Sequence, residues 1–158
     1  MDYKIEKMDE LNLVGKVERQ HVNNVKVDKF WERCEKDGTL KVLLNHSTSI
    51  NKEYFGIADG SSYDGDSYLY YIATPFCGKT IPRGFITKRL PSSLWIKFDC
   101  SDVGNEDVIS QELWTKIYSD FFPTSIYEPA EYQLEVYSNG ETEKGPEIWI
   151  AVKQKESI

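Results

Sequence analysis

Tyr132-Gln-Leu-Glu-Val-Tyr137, followed after a short turn by Glu147-Ile-Trp-Ile-Ala-Val152, reads as a pair of neighbouring strands. Alternate residues of a strand point to opposite faces. Tyr132, Leu134 and Val136 therefore share one face, and Gln133, Glu135 and Tyr137 share the other. This sets a single carboxylate, Glu135, among aromatic side chains. A charge in such a place is either solvated or kept for a ligand.

Working outward, the same grammar recurs. An extended segment from Tyr3 to Val17 opens the chain. A helix is expected from about Asp28 to Lys36, because Val27, Phe30, Trp31 and Cys34 fall at i, i+3, i+4 and i+7. Asp37-Gly38 stops it. Two strand-like runs follow, Tyr54 to Ala58 and Tyr68 to Ala73, separated by the hairpin loop Asp59-Gly-Ser-Ser-Tyr-Asp-Gly65.

The second half repeats the order. Gly84 to Phe98 is extended, and a helix is expected from about Glu106 to Phe121, ended by Pro123. The strands 132–138 and 147–153 complete it, joined through Ser138-Asn-Gly140 and Lys144-Gly-Pro146. Trp31 and Trp114 hold matching places in the two helices, as do Tyr70 and Trp149 in the two last strands. The pattern predicts one α+β domain over 1–158, with pseudo-repeat halves of about 1–80 and 81–158. Duplicated βαββ units would form a curved antiparallel sheet with two helices on one face.

Alternation then assigns the faces. Leu94, Ile96 and Phe98, Leu69, Tyr71 and Ala73, and Ile148, Ile150 and Val152 are expected to face the helices. The opposite set holds Tyr68, Tyr70, Trp95, Glu135, Tyr137 and Trp149. An open face so rich in rings suggests a binding surface. These six are the candidate ligand-binding residues, on the helix-free side. Trp95 and Trp149 also suit a core bridging the two halves, and Trp31 and Trp114 read as helix core.

Composition excludes several classes. With 158 residues the chain is long enough for a real core. Its net charge of −7 argues against nucleic-acid binding, which wants a basic face. No apolar run reaches the length of a membrane span, and the charged N-terminus lacks a signal-peptide core, so a cytoplasmic location is expected. Cys34, Cys77 and Cys100 are far apart and form neither a disulfide framework nor a metal pattern. His21 and His46 lack metal spacing. Asp64-Gly-Asp66 lacks the other ligands of a calcium loop and reads as turn chemistry. Neither a cofactor nor a metal is expected.

Several segments resemble one family. Leu90-Pro-Ser-Ser-Leu-Trp-Ile-Lys-Phe98 is similar to the "P-A-G-x-Y-A-V-F" strand of GyrI-like small-molecule-binding domains, which also serve as effector-binding domains of AraC/Rob-type and MerR-type regulators. Trp114 through Phe121-Phe-Pro-Thr-Ser-Ile-Tyr-Glu128 resembles its "W-L-P-x-S-G-Y-E". Leu134-Glu-Val-Tyr137 resembles its "F-E-x-Y", and Ile148-Trp-Ile-Ala-Val152 its closing "I-W-I-P-V". The likeness runs from about Tyr3 to Lys153. Lys97, Ile126 and Ala151 depart from the family's aliphatic, glycine and proline positions.

The resemblance implies a duplicated βαββ fold with a cleft between the halves. It implies that Glu135 matches the family's cation-pairing glutamate. The function expected is a stand-alone module that sequesters or senses a lipophilic, cationic small molecule, with no direct DNA contact. A protein partner or a homodimer is compatible with that reading. Two alternatives belong beside it. One is a hydrolase of reactive electrophiles with Glu135 as general base and Tyr68 or Tyr137 as acid. The other is a gyrase-inhibitor-like protein whose acidic surface imitates nucleic acid.

Overall fold

A computed structural model describes residues 2–101, 109, 111–138 and 145–156. Eight strands form one antiparallel sheet: β1 (Tyr3–Met8), β2 (Leu11–His21), β3 (Tyr54–Asp59), β4 (Ser67–Pro75), β5 (Ile86–Leu90), β6 (Ser93–Asp99), β7 (Tyr127–Tyr137) and β8 (Glu147–Gln154). Helices α1 (Val27–Lys36) and α2 (Thr39–His46) link β2 to β3. Helix α3 (Gln111–Lys116) precedes β7 and runs on as a wider π turn over Ile117–Phe121. A short 3-10 turn, Phe122–Thr124, carries Pro123 and ends it. No helix among the described residues is long and apolar enough to cross a membrane.

The strand order β1-β6-β8-β7-β3-β4-β2-β5 reads the same from either end once β1 to β4 are matched with β5 to β8. That palindrome is the duplication. It adds a leading strand to each βαββ unit, and those strands are exchanged. β1 pairs with β6 of the second half, and β5 pairs with β2 of the first. Two expected segments are therefore broken. Tyr3 to Val17 divides at Asp9-Glu10, and Gly84 to Phe98 divides at Pro91-Ser92.

Those breaks also bend the sheet. A two-residue link spans at most about 11 Å. In a flat sheet β1 and β2 would stand six strand spacings apart, about 29 Å. The links β1–β2 and β5–β6 can close only if the open sheet curls enough to bring its two ends within that reach. The helix-free face becomes the inside of the curl. It is filled by Leu13, Phe55, Ile57, Tyr71, Leu90, Trp95, Leu134 and Trp149.

The other face carries the helices. Phe30 and Cys34 of α1 and Leu43 of α2 pack on Val14, Tyr70 and Ile72. Leu113 and Ile117 pack on Ile96, Phe98, Ile148 and Ile150. Cross-strand pairing ties the faces together. Ile72, Gly56, Glu135, Ile148 and Phe98 form one continuous row beneath the helices. Tyr71, Ile57, Leu134, Trp149 and Lys97 form the adjacent row, inside the curl.

The face assignment thus holds for β6 and β8 but reverses for β4, where Tyr68, Tyr70 and Ile72 lie under the helices. Glu135 and Tyr137 also lie there, not on the helix-free side. Tyr70 and Trp149 stand on opposite faces, so they are not counterparts in the repeat. The expected helix from Glu106 begins outside the described residues, as does most of the turn joining β7 to β8.

The inside of the curl also accommodates two lysines. Lys97, which occupies an aliphatic position of the family pattern, lies 3.8 Å from the centre of the Trp149 ring and 2.8 Å from Glu6. Lys88 lies 3.0 Å from the buried Asp59 and over the rings of Tyr71 and Tyr132. Each ammonium is compensated by a carboxylate and by an aromatic face. Asp64 accepts hydrogen bonds from the backbone of Asp66 and Ser67, which is turn chemistry. No group of metal-ligating side chains occurs among the described residues.

Candidate functional site

A cavity of about 690 Å³ opens on the helix-bearing face, between α1 and α3. Its floor is the row of small and polar residues where the two halves meet: Gly56 and Ala58 of β3, Tyr68 and Tyr70 of β4, Gln133 and Glu135 of β7. Val25 and Val27 form the rim beside α1. Trp114 and Thr115 of α3 and Tyr118 of the π turn that continues it form the opposite wall.

Glu135 is half-buried, and both of its oxygens are engaged. Trp114 Nε1 donates to Oε2 at 2.5 Å, and the Tyr137 hydroxyl donates to Oε1. Burial pushes the Glu135 carboxyl above its ordinary value, and the bonds from Tyr137 and Trp114 oppose that rise. The hydroxyl of Tyr137 is pushed up as well, first by burial and then by the adjacent Glu135 charge.

Tyr70, 6% exposed, holds the opposite side of the floor. Its hydroxyl accepts a 3.0 Å hydrogen bond from Trp31 Nε1. Burial and the nearby Glu135 raise its ionisation, so it stays neutral. The Trp31 ring also meets Tyr137 edge-on, with centroids 5.6 Å apart. Each helix therefore sends one indole N–H down to a polar group of the sheet.

Gly56 makes this layout possible. It faces Glu135 across the β3–β7 pair. A Cβ on Gly56 would come within 2.1 Å of the Tyr70 hydroxyl and 3.0 Å of the Trp31 ring. The bare backbone leaves room for both.

Four of the six sequence candidates come together here. Tyr68, Tyr70 and Glu135 line the cavity, and Tyr137, beside Glu135 on the same face of β7, donates to it. Trp95 and Trp149 do not join them. They are 3% and 6% exposed, lie inside the curl, and face one another with centroids 6.3 Å apart. Both belong to the second half, and Trp149 also meets Phe55 of the first, with centroids 5.3 Å apart. Trp114, read from its helix stripe as core, is a cavity wall. Tyr118, Gly56 and Gln133 were not singled out in the sequence. The available signal was Trp114 and Tyr118 at i and i+4 beside the polar stripe Gln111, Thr115 and Ser119.

A doubled, curled sheet with one helix from each half flanking a carboxylate-floored cavity is the GyrI-like effector-binding fold. The chain belongs to the Cass2 family of integron-associated effector binding proteins, whose model matches residues 4–152. A comparison with curated proteins finds no match. Among solved structures, SAV2435, determined bound to tetraphenylphosphonium, is similar with a TM-score of 0.77 at 20% identity. That match covers 97% of this chain and 94% of SAV2435. The integron cassette protein from the mobile metagenome of Vibrio cholerae matches with a TM-score of 0.64 at 15% identity, over 96% and 95% of the two chains. The C-terminal domain of EcmrR matches with a TM-score of 0.59 at 10% identity, over 98% of each. At these identities the likeness is one of fold.

Proposed function

We propose that this protein binds a lipophilic organic cation in the cavity between α1 and α3, with Glu135 as the counter-charge. The observation that carries this reading is a half-buried carboxylate, raised by burial, on the floor of a cavity walled by Tyr68, Tyr70, Trp114 and Tyr118. An ionised carboxylate in such a place lacks hydration that an incoming cation restores. Each well-placed ring adds about 0.5–2 kcal/mol of cation–π attraction. The volume falls within the range of small-molecule pockets, about 300–1,000 Å³. The tetraphenylphosphonium held by SAV2435, a protein of the same fold, supports the same ligand class here.

Such binding serves to sequester or to sense the compound. The hydrolase alternative would require Glu135 to take a proton from water. Both its oxygens already accept an internal hydrogen bond, an arrangement that favours holding charge over moving protons.

Calorimetric titration with tetraphenylphosphonium and with neutral triphenylphosphine oxide tests the reading. Glu135→Gln is expected to weaken the cation at least about tenfold, the worth of one charge-assisted contact, and to leave the neutral compound unchanged. Equal weakening of both would overturn the charge-recognition claim.

A further inference from the structure

A lipophilic ligand that fills the cavity drives water off the polar groups of its floor, and each must then be met by the protein or by the ligand. Most already have a partner in the protein. Glu135 accepts from Trp114 and Tyr137, and the Tyr70 hydroxyl accepts from Trp31. On the far wall the Thr115 hydroxyl donates to the Gln111 carbonyl at 3.0 Å, and the Ser119 hydroxyl to Asp120 Oδ1 at 3.3 Å. Gln133 is an exception. It is half-buried and lines the cavity, and its carboxamide has no hydrogen-bond partner among the described residues and is not sealed from solvent.

Alternation sets Gln133 on the same face of β7 as Glu135, two residues and about 7 Å away. Its cross-strand neighbours are Ala58 and Ile150. Ala58 is short and leaves space beside the carboxamide, as Gly56 does beside Glu135. Ile150 is wholly buried in the cluster under α3. A leucine at 133 would carry that apolar packing to the edge of the cavity with no polar group to satisfy. The carboxamide instead presents a donor and an acceptor side by side. The Tyr68 hydroxyl also lacks a partner among the described residues, but its single oxygen cannot offer that pair.

We infer that Gln133 is a specificity-determining residue that reads an amide group on the ligand, accepting from its N–H and donating to its carbonyl. The inference rests on the cation reading of the cavity. It narrows the ligand class from any lipophilic cation to one that carries an amide on an arm about 7 Å from its charged centre, the spacing of the two side chains along β7. A purely apolar arm would leave the carboxamide dry and unpartnered. A site built to hydrogen-bond its ligand penalises an analogue without the group in just this way.

Three phosphonium probes test it: benzyltriphenylphosphonium and its para- and ortho-carbamoyl derivatives, titrated into wild type and into Gln133→Met, which keeps the length of the side chain. The ratio of affinities is read within each protein, so a general change of the floor cancels. Wild type is expected to favour the para-carbamoyl probe over the benzyl probe about five- to tenfold, the net worth of a neutral hydrogen bond. The ortho isomer, whose amide sits against the charged centre, is expected to gain no such advantage. Gln133→Met is expected to reduce the para advantage to within about twofold. A para advantage that is absent from wild type, that the ortho isomer shares, or that survives in Gln133→Met overturns the inference alone. The two wild-type comparisons carry the test should the variant fail to fold. Failure of all three probes to bind wild type overturns the cation reading and this inference together.

Discussion

Trp114 on α3 donates its indole N–H to Glu135 on β7 at 2.5 Å, so the wall of the cavity is tied to the charge on its floor. The same carboxylate accepts from Tyr137, whose ring meets Trp31 of α1. Both helices are thus referenced to one ionisable group.

Removing the indole donor tests this tie. Trp114→Phe is expected to destabilise the protein by about 2 kcal/mol at pH 7, the scale of a hydrogen bond to a charged group. Near pH 4 the loss is expected to be smaller, because a neutral carboxyl needs the donor less. Urea melts of wild type and variant at the two pH values check it. An equal loss at both would mean that packing alone is at stake.

The Glu135 shift has a sign that can be followed. Its folded-state value lies above the ordinary 4.5. Below that ordinary value the group is neutral in both states and contributes nothing to the pH dependence. As pH rises from there through the raised folded value, the folded state holds the extra proton, so stability falls; above the window the loss is constant. Glu135→Gln escapes that loss. Relative to wild type, its melting temperature is expected to be higher at pH 7.5 than at pH 4.

The same shift governs binding. A cation selects ionised Glu135, so affinity for tetraphenylphosphonium is expected to climb as pH rises through the raised value and then level off. Titrations from pH 4 to 8 would show it, with protons released to the buffer inside that window. A flat profile in wild type, or an unchanged slope in Glu135→Gln, would remove Glu135 as the titrating group.

Gly56 is the tightest point of the floor. Gly56→Ala would drive a methyl into the Tyr70 hydroxyl. Overpacking of this kind costs about 1–3 kcal/mol. The variant is expected to lose that much stability, to lose at least about tenfold in cation affinity, and to show altered Trp31 fluorescence. Retained affinity would mean that Tyr70 can move aside without cost.

Lys97 tests the inside of the curl instead. It is 7% exposed, whereas its partner Glu6 is largely solvent-facing. Lys97→Met restores the aliphatic character of the position and keeps the packing on Trp149. It is expected to leave stability within about 1 kcal/mol of wild type or to raise it, as buried ion pairs often do on replacement. The Glu6 carboxyl, held below its ordinary value chiefly by Lys97, is expected to rise towards it. Carboxyl titration by NMR reads that change directly.

Strand identity and the position of Glu135 were legible because alternation is strong in 132–137 and 147–152. The α1 stripe was legible from its spacing. What alternation does not carry is which face receives the helices. In β4, Tyr70, Tyr71, Ile72 and Ala73 are all buried, so both faces look alike in sequence. Tyrosine and tryptophan serve equally as cavity wall and as core, and so Trp149 and Trp114 exchanged roles. The breaks at Asp9-Glu10 and Pro91-Ser92 passed unnoticed because each is only two residues long. Helix α2 was missed although Gly38, which ends α1 at a φ of 85°, also opens it.

The exchange of β1 and β5 has a consequence for how this molecule exists at all. Each half lends the other its outermost strand, as two subunits do when they swap an arm, but here the covalent chain makes the exchange permanent. Each half lacks, on its own, one strand of the sheet it sits in. Severing the chain near residue 80 is expected to leave two fragments, each short of the strand that the other supplies, with the cavity divided between them.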